Sequence, residues 1–480
     1  MNELRSVIQK NKIFIGILAL WFACAFLAPS ALYVVLPATA LYMFYSNMYI
    51  EILVGFLYFG VMSDMQGGAV VSNFKQIYLV FMAATLLNMK RFAPFPTVHL
   101  NLVPFFLIAL ITTFLSSQML TQSLLKIFSS LMSMIAIPAY FLRAYRINKN
   151  ETLQKMVYLI FIIILLGFVG GSLVAQGDTI TGGYKGDELS EAFSGSGRYS
   201  GIFRNPNALA LFSFLYLCVI TVIFEYHPHL FPRTHRYFIF GLTLVSLVAT
   251  RARGGIFAFV IFYLFAKITK KSPVLAIVTI ILSITLYQLL GDFVIDVIDK
   301  LNLAEFLRTN QEDTKKGSGR LIAFQHVWEF IKERPFLGYG IDGTDKYIFG
   351  PKYQNDLLTA GHVGNAHNSF LTFWADTGIL GVLFWILGMF TNMFRGARFT
   401  PYAIPFMGAV IFTGMVESWL TGTLGPYIIM FYVNLSILTE VSFTEVEEID
   451  FQDQDGFEPS ENNEPDAQPA QIETIKPRFA

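Results

Sequence analysis

The stretch MVYLIFIIILLGFVGGSLVA, Met156 to Ala175, runs for twenty residues without a charged side chain. A helix of about 20 apolar residues crosses the hydrocarbon layer of a bilayer. A membrane β-strand instead alternates apolar and polar residues over about ten positions. The continuous run therefore reads as a spanning helix. Similar blocks recur at 12–28, 31–46, 48–64, 75–89, 98–116, 123–142, 207–224, 237–250, 255–266, 273–290, 370–391, 402–416 and 424–439. Composition agrees: 54% of the 480 residues are apolar, 14% are charged, and mean hydropathy is +0.53. A soluble domain carries about 25% charged residues. The expectation is an all-α, polytopic helical membrane protein of about 12–14 transmembrane helices with a large outer loop.

The first block follows MNELRSVIQKNK and has no convincing small-residue cleavage site, so it reads as a retained helix. Cys24 and Cys218 both lie inside apolar blocks, as packing residues do. The expected organisation is helices over 1–290 with an outer loop at 176–206, a large outer loop at 291–369, further helices over 370–440, and a tail at 441–480. That tail holds 11 acidic and 2 basic residues, leaving 32 basic against 23 acidic, or +9, for the rest. It lacks apolar periodicity and reads as disordered, acidic and cytoplasmic.

Basic residues collect in cytoplasmic loops. With the N-terminus inside, strict alternation puts Lys90 and Arg91, Arg143, Arg146 and Lys149, Arg233 and Arg236, Lys267, Lys270 and Lys271, and Arg395 and Arg398 on the inner side. Three regions with arginines fall outside: 176–206, the break TRARGG from Thr250 to Gly255, and 291–369. An arginine at the membrane is costly and usually has a reason. Arg251 and Arg253 either snorkel or pair with an acid, or they bind an anion.

Within the large outer loop, RLIAFQHVWEFIKERPFLGYGID reads as an amphipathic helix from Leu321 to Glu333. Phe324, Val327, Trp328 and Ile331 share one face, and Pro335 stops it. Gly317 and Gly319 loosen the chain before it, and Ser318 is a candidate N-cap. Arg320, beside free N–H groups at the helix start, could seat a diphosphate or carboxylate, or be an ordinary residue of a surface helix. GNAHNSF, Gly364 to Phe370, sets His367 in a polar patch with Asn365, Asn368 and Ser369. Such a histidine can act as a base or a neutral hydrogen-bond partner, or cap a helix. His326 and His362 are weaker candidates. The acids assigned to the outer side include no tight D-x-D pair, so no metal site is expected. There is no Walker motif, no dinucleotide fingerprint and no nucleic-acid module.

In order, these elements read RYSGIFRNPN (Arg198 to Asn207), TRARG (Thr250 to Gly254), Gly319-Arg320 with PFLGYG (Pro335 to Gly340), HNSFL (His367 to Leu371) and DTGILG (Asp376 to Gly381). Their order and spacing over residues 190–385 resemble the bacterial O-antigen ligase and polysaccharide polymerase superfamily, integral-membrane glycosyltransferases of GT-C type. The resemblance implies an inverting, metal-independent enzyme without a cofactor, at the outer face of the bacterial inner membrane. Its donor would be an undecaprenyl-diphosphate-linked glycan. Its acceptor would be lipid A–core sugar in a ligase or another lipid-linked glycan in a polymerase, where a chain-length regulator is a partner. Membrane lipids surround it.

The family's catalytic arginines and histidine carry over to Arg253, Arg320 and His367. Arg198, Arg204, Asn205, Asn207, Arg251 and Asn368 would bind substrate. Ala252 stands where the family has serine, which leaves the ranking of Arg251 and Arg253 open. Arg253 is favoured because it directly precedes glycine. Asn205 and Asn207 could instead cap the following helix. Two other classes fit the same arginines: a transporter or flippase of lipid-linked glycan, and a non-catalytic scaffold for polysaccharide assembly.

Overall fold

A computed structural model describes residues 9–64, 71–88, 97–174, 199–203, 205–272, 274–275, 277–279, 320–350, 353 and 365–440. Among these, the regular elements are all helical. They are α1 (Lys12–Leu27), α2 (Leu32–Tyr45), α3 (Tyr49–Ser63), α4 (Ser72–Asn88), α5 (Thr97–Ser116), α6 (Leu120–Ile147), α7 (Lys149–Val174), α8 (Pro206–Tyr226), α9 (Arg233–Ala249), α10 (Arg253–Thr269), α11 (Arg320–Glu333), α12 (Ser369–Ala397), α13 (Ala403–Val416) and α14 (Pro426–Glu440), with short single turns between some of them. Every apolar block has its helix except 273–290, which lies almost wholly outside the described residues. Segments Leu120–Ile147, Lys149–Val169, Pro206–Tyr226 and Ser369–Ala397 are long and apolar enough to cross a membrane by length and composition. The protein is a multi-pass helical membrane protein.

α8 is apolar on all sides and sits at the centre, packed against α7, α9, α10 and α14. A helix of that kind has no solvent or lipid face to keep. α12 packs along α5, α13 and α14, and α11 packs against its first turns, with Trp328 beside Trp374. At one end of the bundle Lys270 pairs with Glu225 at 2.5 Å, Lys155 with Glu51 at 2.6 Å, and Arg143 lies over the Tyr49 ring. These belong to the basic loops assigned to the inside. The candidate site residues lie at the opposite ends of the same helices.

α12 is not one straight rod. Gly378 has φ 70° and ψ 177°, outside helical values. Phe370 and Trp385 are fifteen positions apart, about 22 Å along a straight helix at 1.5 Å per residue. Their ring centroids are 5.7 Å apart, and those of Phe373 and Trp385 are 5.3 Å apart. Residues 369–377 therefore fold back along the helix that follows. The continuous helix expected over 370–391 is corrected in this respect.

The PFLGYG turn holds this reversal in place. Tyr339 N donates to Ala375 O at 2.8 Å, Gly340 N to Asp376 O at 2.8 Å, and Ile379 N to Pro335 O at 2.9 Å. Backbone groups that lose helical partners at the break find them in the turn, as buried backbone must. Gly378 is required here: a Cβ would stand 1.9 Å from Phe336 O. The buried Asp376 carboxylate accepts from Thr344 N and Thr344 Oγ1, both at 2.7 Å, and from Asp342 N at 3.2 Å. Lys126 of α6 then reaches Asp342 at 2.6 Å and Asp345 at 3.2 Å.

The amphipathic helix forms as α11, with a different inner face. Ala323, Val327, Phe330 and Ile331 are buried, whereas Trp328 is exposed and meets Trp374 edge-on. The buried stripe follows the i, i+4, i+7, i+8 spacing of a wide apolar face. Phe324 is only half-buried.

Candidate active site

Three helix starts and two helix ends meet at the end of the bundle opposite the basic loops. α8 begins with Asn205 as N-cap: its side chain accepts from Ala208 N at 2.9 Å, and Pro206 takes the first helical position. This is the capping role that the sequence left open for it. Asn207 does not cap. Its Nδ2 donates to Glu417 Oε1 at 2.7 Å. The strap before α8 crosses two neighbouring helices, with Tyr199 N on Ala249 O at 3.1 Å and Ile202 N on Gly167 O at 2.9 Å.

α9 ends at Ala249, and α10 starts four residues later. Thr250 turns the chain, its Oγ1 accepting from Ala252 N at 3.1 Å. Arg251 has φ 49° and is buried, whereas Arg253 is exposed at the first position of α10. The two arginines therefore occupy different environments. A non-glycine residue in the left-handed region costs of order 1–3 kcal/mol and tends to mark a functional constraint. Ala252 is the N-cap of α10 and offers no side-chain hydrogen bond. A serine there could cap the helix start. With alanine, the first N–H groups beside Arg253 carry no side-chain cap, an arrangement that favours an anion. The glycines let α10 come close to its neighbours. A Cβ on Gly255 would lie 2.9 Å from Ala210 Cβ, and one on Gly254 3.2 Å from Val416 Cγ2. Arg253 thus stands one residue from the contact with the end of α13.

Glu417 follows directly on α13 and is not among the residues that the sequence singles out. It lies in MVESWLTG, a short break between the last two apolar blocks. Its Oε2 is 3.2 Å from His367 Nδ1, while its other oxygen holds Asn207. Ser369 Oγ donates to the Glu417 carbonyl at 2.7 Å, and Asn368 N donates to Ser418 Oγ at 2.9 Å. One carboxylate therefore joins the starts of α8 and α12 to the end of α13. The available signal was an acid at a predicted outer helix end, where ionisable groups are rare and need partners.

His367 has φ 46°, and its N–H donates to Asn365 Oδ1 at 2.8 Å. Its side chain is 27% exposed and that of Glu417 16%, so the pair is both held and reachable. Asn368 caps α12, accepting from Phe370 N at 2.9 Å and Leu371 N at 3.0 Å. Its side-chain oxygen is engaged by the helix start. The structure thus brings Asn207, His367 and Glu417 together, beside the helix that starts at Arg253. Arg198 and Arg204 lie outside the described residues, as do 195–197 and 317–319. Arg320 opens α11, and its side chain is likewise outside the described part. His326 bonds to Ile348 O at 2.9 Å within the α11 aromatic cluster. Among the described residues no group of three His, Cys, Asp or Glu side chains could hold a metal ion.

The fold and site define a multi-pass helical membrane protein with an ionisable cluster at one end of its bundle. Residues 238–386 match the family described as O-Antigen ligase. Over that stretch, which carries Arg253, Arg320 and His367, the chain is similar to the O-antigen ligase family. It is also 26% identical over 164 residues to an uncharacterised protein of Haemophilus influenzae, covering 32% of this chain and 41% of that one.

Proposed function

We propose that the protein is a glycosyltransferase of surface-polysaccharide assembly. It moves a glycan from a polyprenyl diphosphate, undecaprenyl diphosphate in bacteria, to an acceptor hydroxyl at the outer face of the inner membrane. The observation that carries this reading is the Asn207–Glu417–His367 cluster beside the α10 start, inside the stretch matched to the O-antigen ligase family. Its position at bundle ends opposite the basic loops supports the outward orientation.

The acceptor oxygen attacks the anomeric carbon, and the bond from that carbon to the diphosphate oxygen breaks with inversion. Charge grows on the departing diphosphate. Arg253, the start of α10 and Arg320 at the start of α11 neutralise it, since guanidinium groups and helix N-termini both suit phosphate oxygens. His367 aligns the acceptor. When its Nδ1–H donates to Glu417, Nε2 is the nitrogen that takes the acceptor proton. The diphosphate is already a good leaving group, so orientation and charge stabilisation supply most of the rate. No step requires a metal. A GT-C-type arrangement and a polyprenyl tail lying between helices belong to the same reading.

The acceptor is lipid A–core sugar for a ligase or a second lipid-linked glycan for a polymerase. Glycan analysis of a deletion strain separates these: single repeats on the acceptor mark a polymerase, and undecorated acceptor with accumulated lipid-linked polymer marks a ligase. Transfer itself is tested by incubating the purified protein with lipid-linked donor and acceptor. Product glycan with released polyprenyl diphosphate supports the reading. Movement of donor across the bilayer without release means transport, and contradicts it.

A further inference from the structure

The turn after α11 exposes apolar groups where an outer segment would ordinarily be polar. Phe336 is 66% exposed, Leu337 46% and Trp328 43%. They form one patch. Trp328 meets Trp374 at 5.5 Å between ring centroids, and Trp374 Nε1 donates to Pro335 O at 3.0 Å. Ser116 at the end of α5 reaches Leu337 O at 3.4 Å, and Arg334 Nη1 donates to Ser116 O at 3.2 Å. The patch therefore continues into the exposed flanks of the bundle: Phe114 and Leu115 on α5, and Leu380 and Leu383 on α12 just past Gly378. Those flanks are exposed surfaces of apolar helices, of which α12 is long and apolar enough to cross a membrane.

The geometry points to a lipid-inserted knuckle: Trp328, Phe336 and Leu337 sit in the interfacial layer of the outer leaflet and seat α11 on the bilayer. The occupant is the acyl–headgroup boundary of the membrane. Tryptophan at that depth follows the interfacial preference of its ring, and exposed apolar area continuous with a lipid-facing belt is removed from water by insertion. The polar face of α11, with Glu329 and Lys332 paired at 2.5 Å, remains in water. The consequence concerns depth. The reversal at Gly378 lies at the knuckle, and residues 369–377 run from it back along the span. The His367–Glu417 pair then lies on the membrane side of the knuckle, at the deep end of residues 369–377.

This inference rests on membrane placement and not on the chemistry proposed above, so its test needs no turnover. The full chain, with Cys24→Ala and Cys218→Ala, is labelled with a nitroxide at Phe336→Cys, Leu383→Cys or Lys332→Cys and placed in phospholipid nanodiscs. Collision with oxygen and with a water-soluble nickel chelate is then measured. Position 336 should behave like 383, favouring oxygen, and unlike 332. A nickel-dominated signal at 336 overturns the proposal. Brominated phospholipid provides an independent reading: the fluorescence lost in Trp328→Phe should be the part quenched in the parent protein. A Trp328 contribution insensitive to the bromolipid also overturns it.

Discussion

Oε2 of Glu417 lies 3.2 Å from Nδ1 of His367, while its Oε1 accepts from Asn207 at 2.7 Å. Asn207 lies in the first turn of α8, His367 just before the cap of α12 and Glu417 just after α13, and the carboxylate sets the orientation of the imidazole. A carboxylate against Nδ1 selects the tautomer whose Nε2 can accept a proton.

Glu417→Gln places an amide N–H opposite Nδ1 and reverses that tautomer. Glycan transfer is expected to fall by roughly 10²–10⁴-fold, the usual contribution of a positioned acid–base group. Protein yield and thermal midpoint should stay close to the parent values. Full activity in Glu417→Gln would show that the pair has no part in the reaction.

Gly378 fixes the fold-back of residues 369–377. In Gly378→Ala the new Cβ meets Phe336 O at 1.9 Å, in a backbone region that favours glycine. A loss of about 1–3 kcal/mol or more follows from strain of this type. Thermal unfolding in detergent measures it. A neutral result would mean that the reversal relaxes without cost.

Lys126 holds Asp342 and Asp345 at 2.6 and 3.2 Å. Lys126→Ala leaves the mostly buried Asp342 uncompensated and should cost about 3 kcal/mol. Asp345 is 38% exposed, so Asp345→Asn should cost under about 1 kcal/mol. Equal effects of the two changes, read from their melting curves, would contradict the network described here.

His227 closes α8 at the basic end, outside the span. Burial, then the nearby Lys149 and His229, lower its pKa from 6.5 to about 4. The unfolded chain takes up this proton near pH 6.5 and the folded one only near pH 4. Unfolding is therefore favoured as pH falls through that window, and the stability is fully present above it. The thermal midpoint should drop between pH 7 and about pH 4.5, and His227→Asn should flatten that slope. An unchanged slope in the variant would remove His227 as its source.

Much of this architecture could be read from the chain because a bilayer permits few solutions. Long apolar runs must be helices, and each such run within the described residues is one. The Asn205-Pro206-Asn207 element announced a helix start, and Pro335 a helix end, by local chemistry alone. Tertiary relationships were not legible in the same way. The run 370–391 looks continuous because the reversal at Gly378 depends on the backbone of Pro335 and Phe336. Trp328 was grouped on one apolar face with Val327 and Ile331, and periodicity alone does not say which side chains of that face the fold buries. Glu417 drew no attention as a lone acid, since its meaning comes from His367 and Asn207, which only folding brings beside it. That Asn368 caps α12 was likewise not read from the sequence.

The central claim is that the His367–Glu417 pair, with the arginine-bearing starts of α10 and α11, transfers a lipid-linked glycan. The most direct measurement is release of polyprenyl diphosphate coupled to product glycan, using purified protein in liposomes with donor and acceptor. Parent protein should give both products in equal amounts. His367→Ala and Arg320→Ala, inserted at the same level, should give neither. Undiminished release and transfer by both variants would contradict the account.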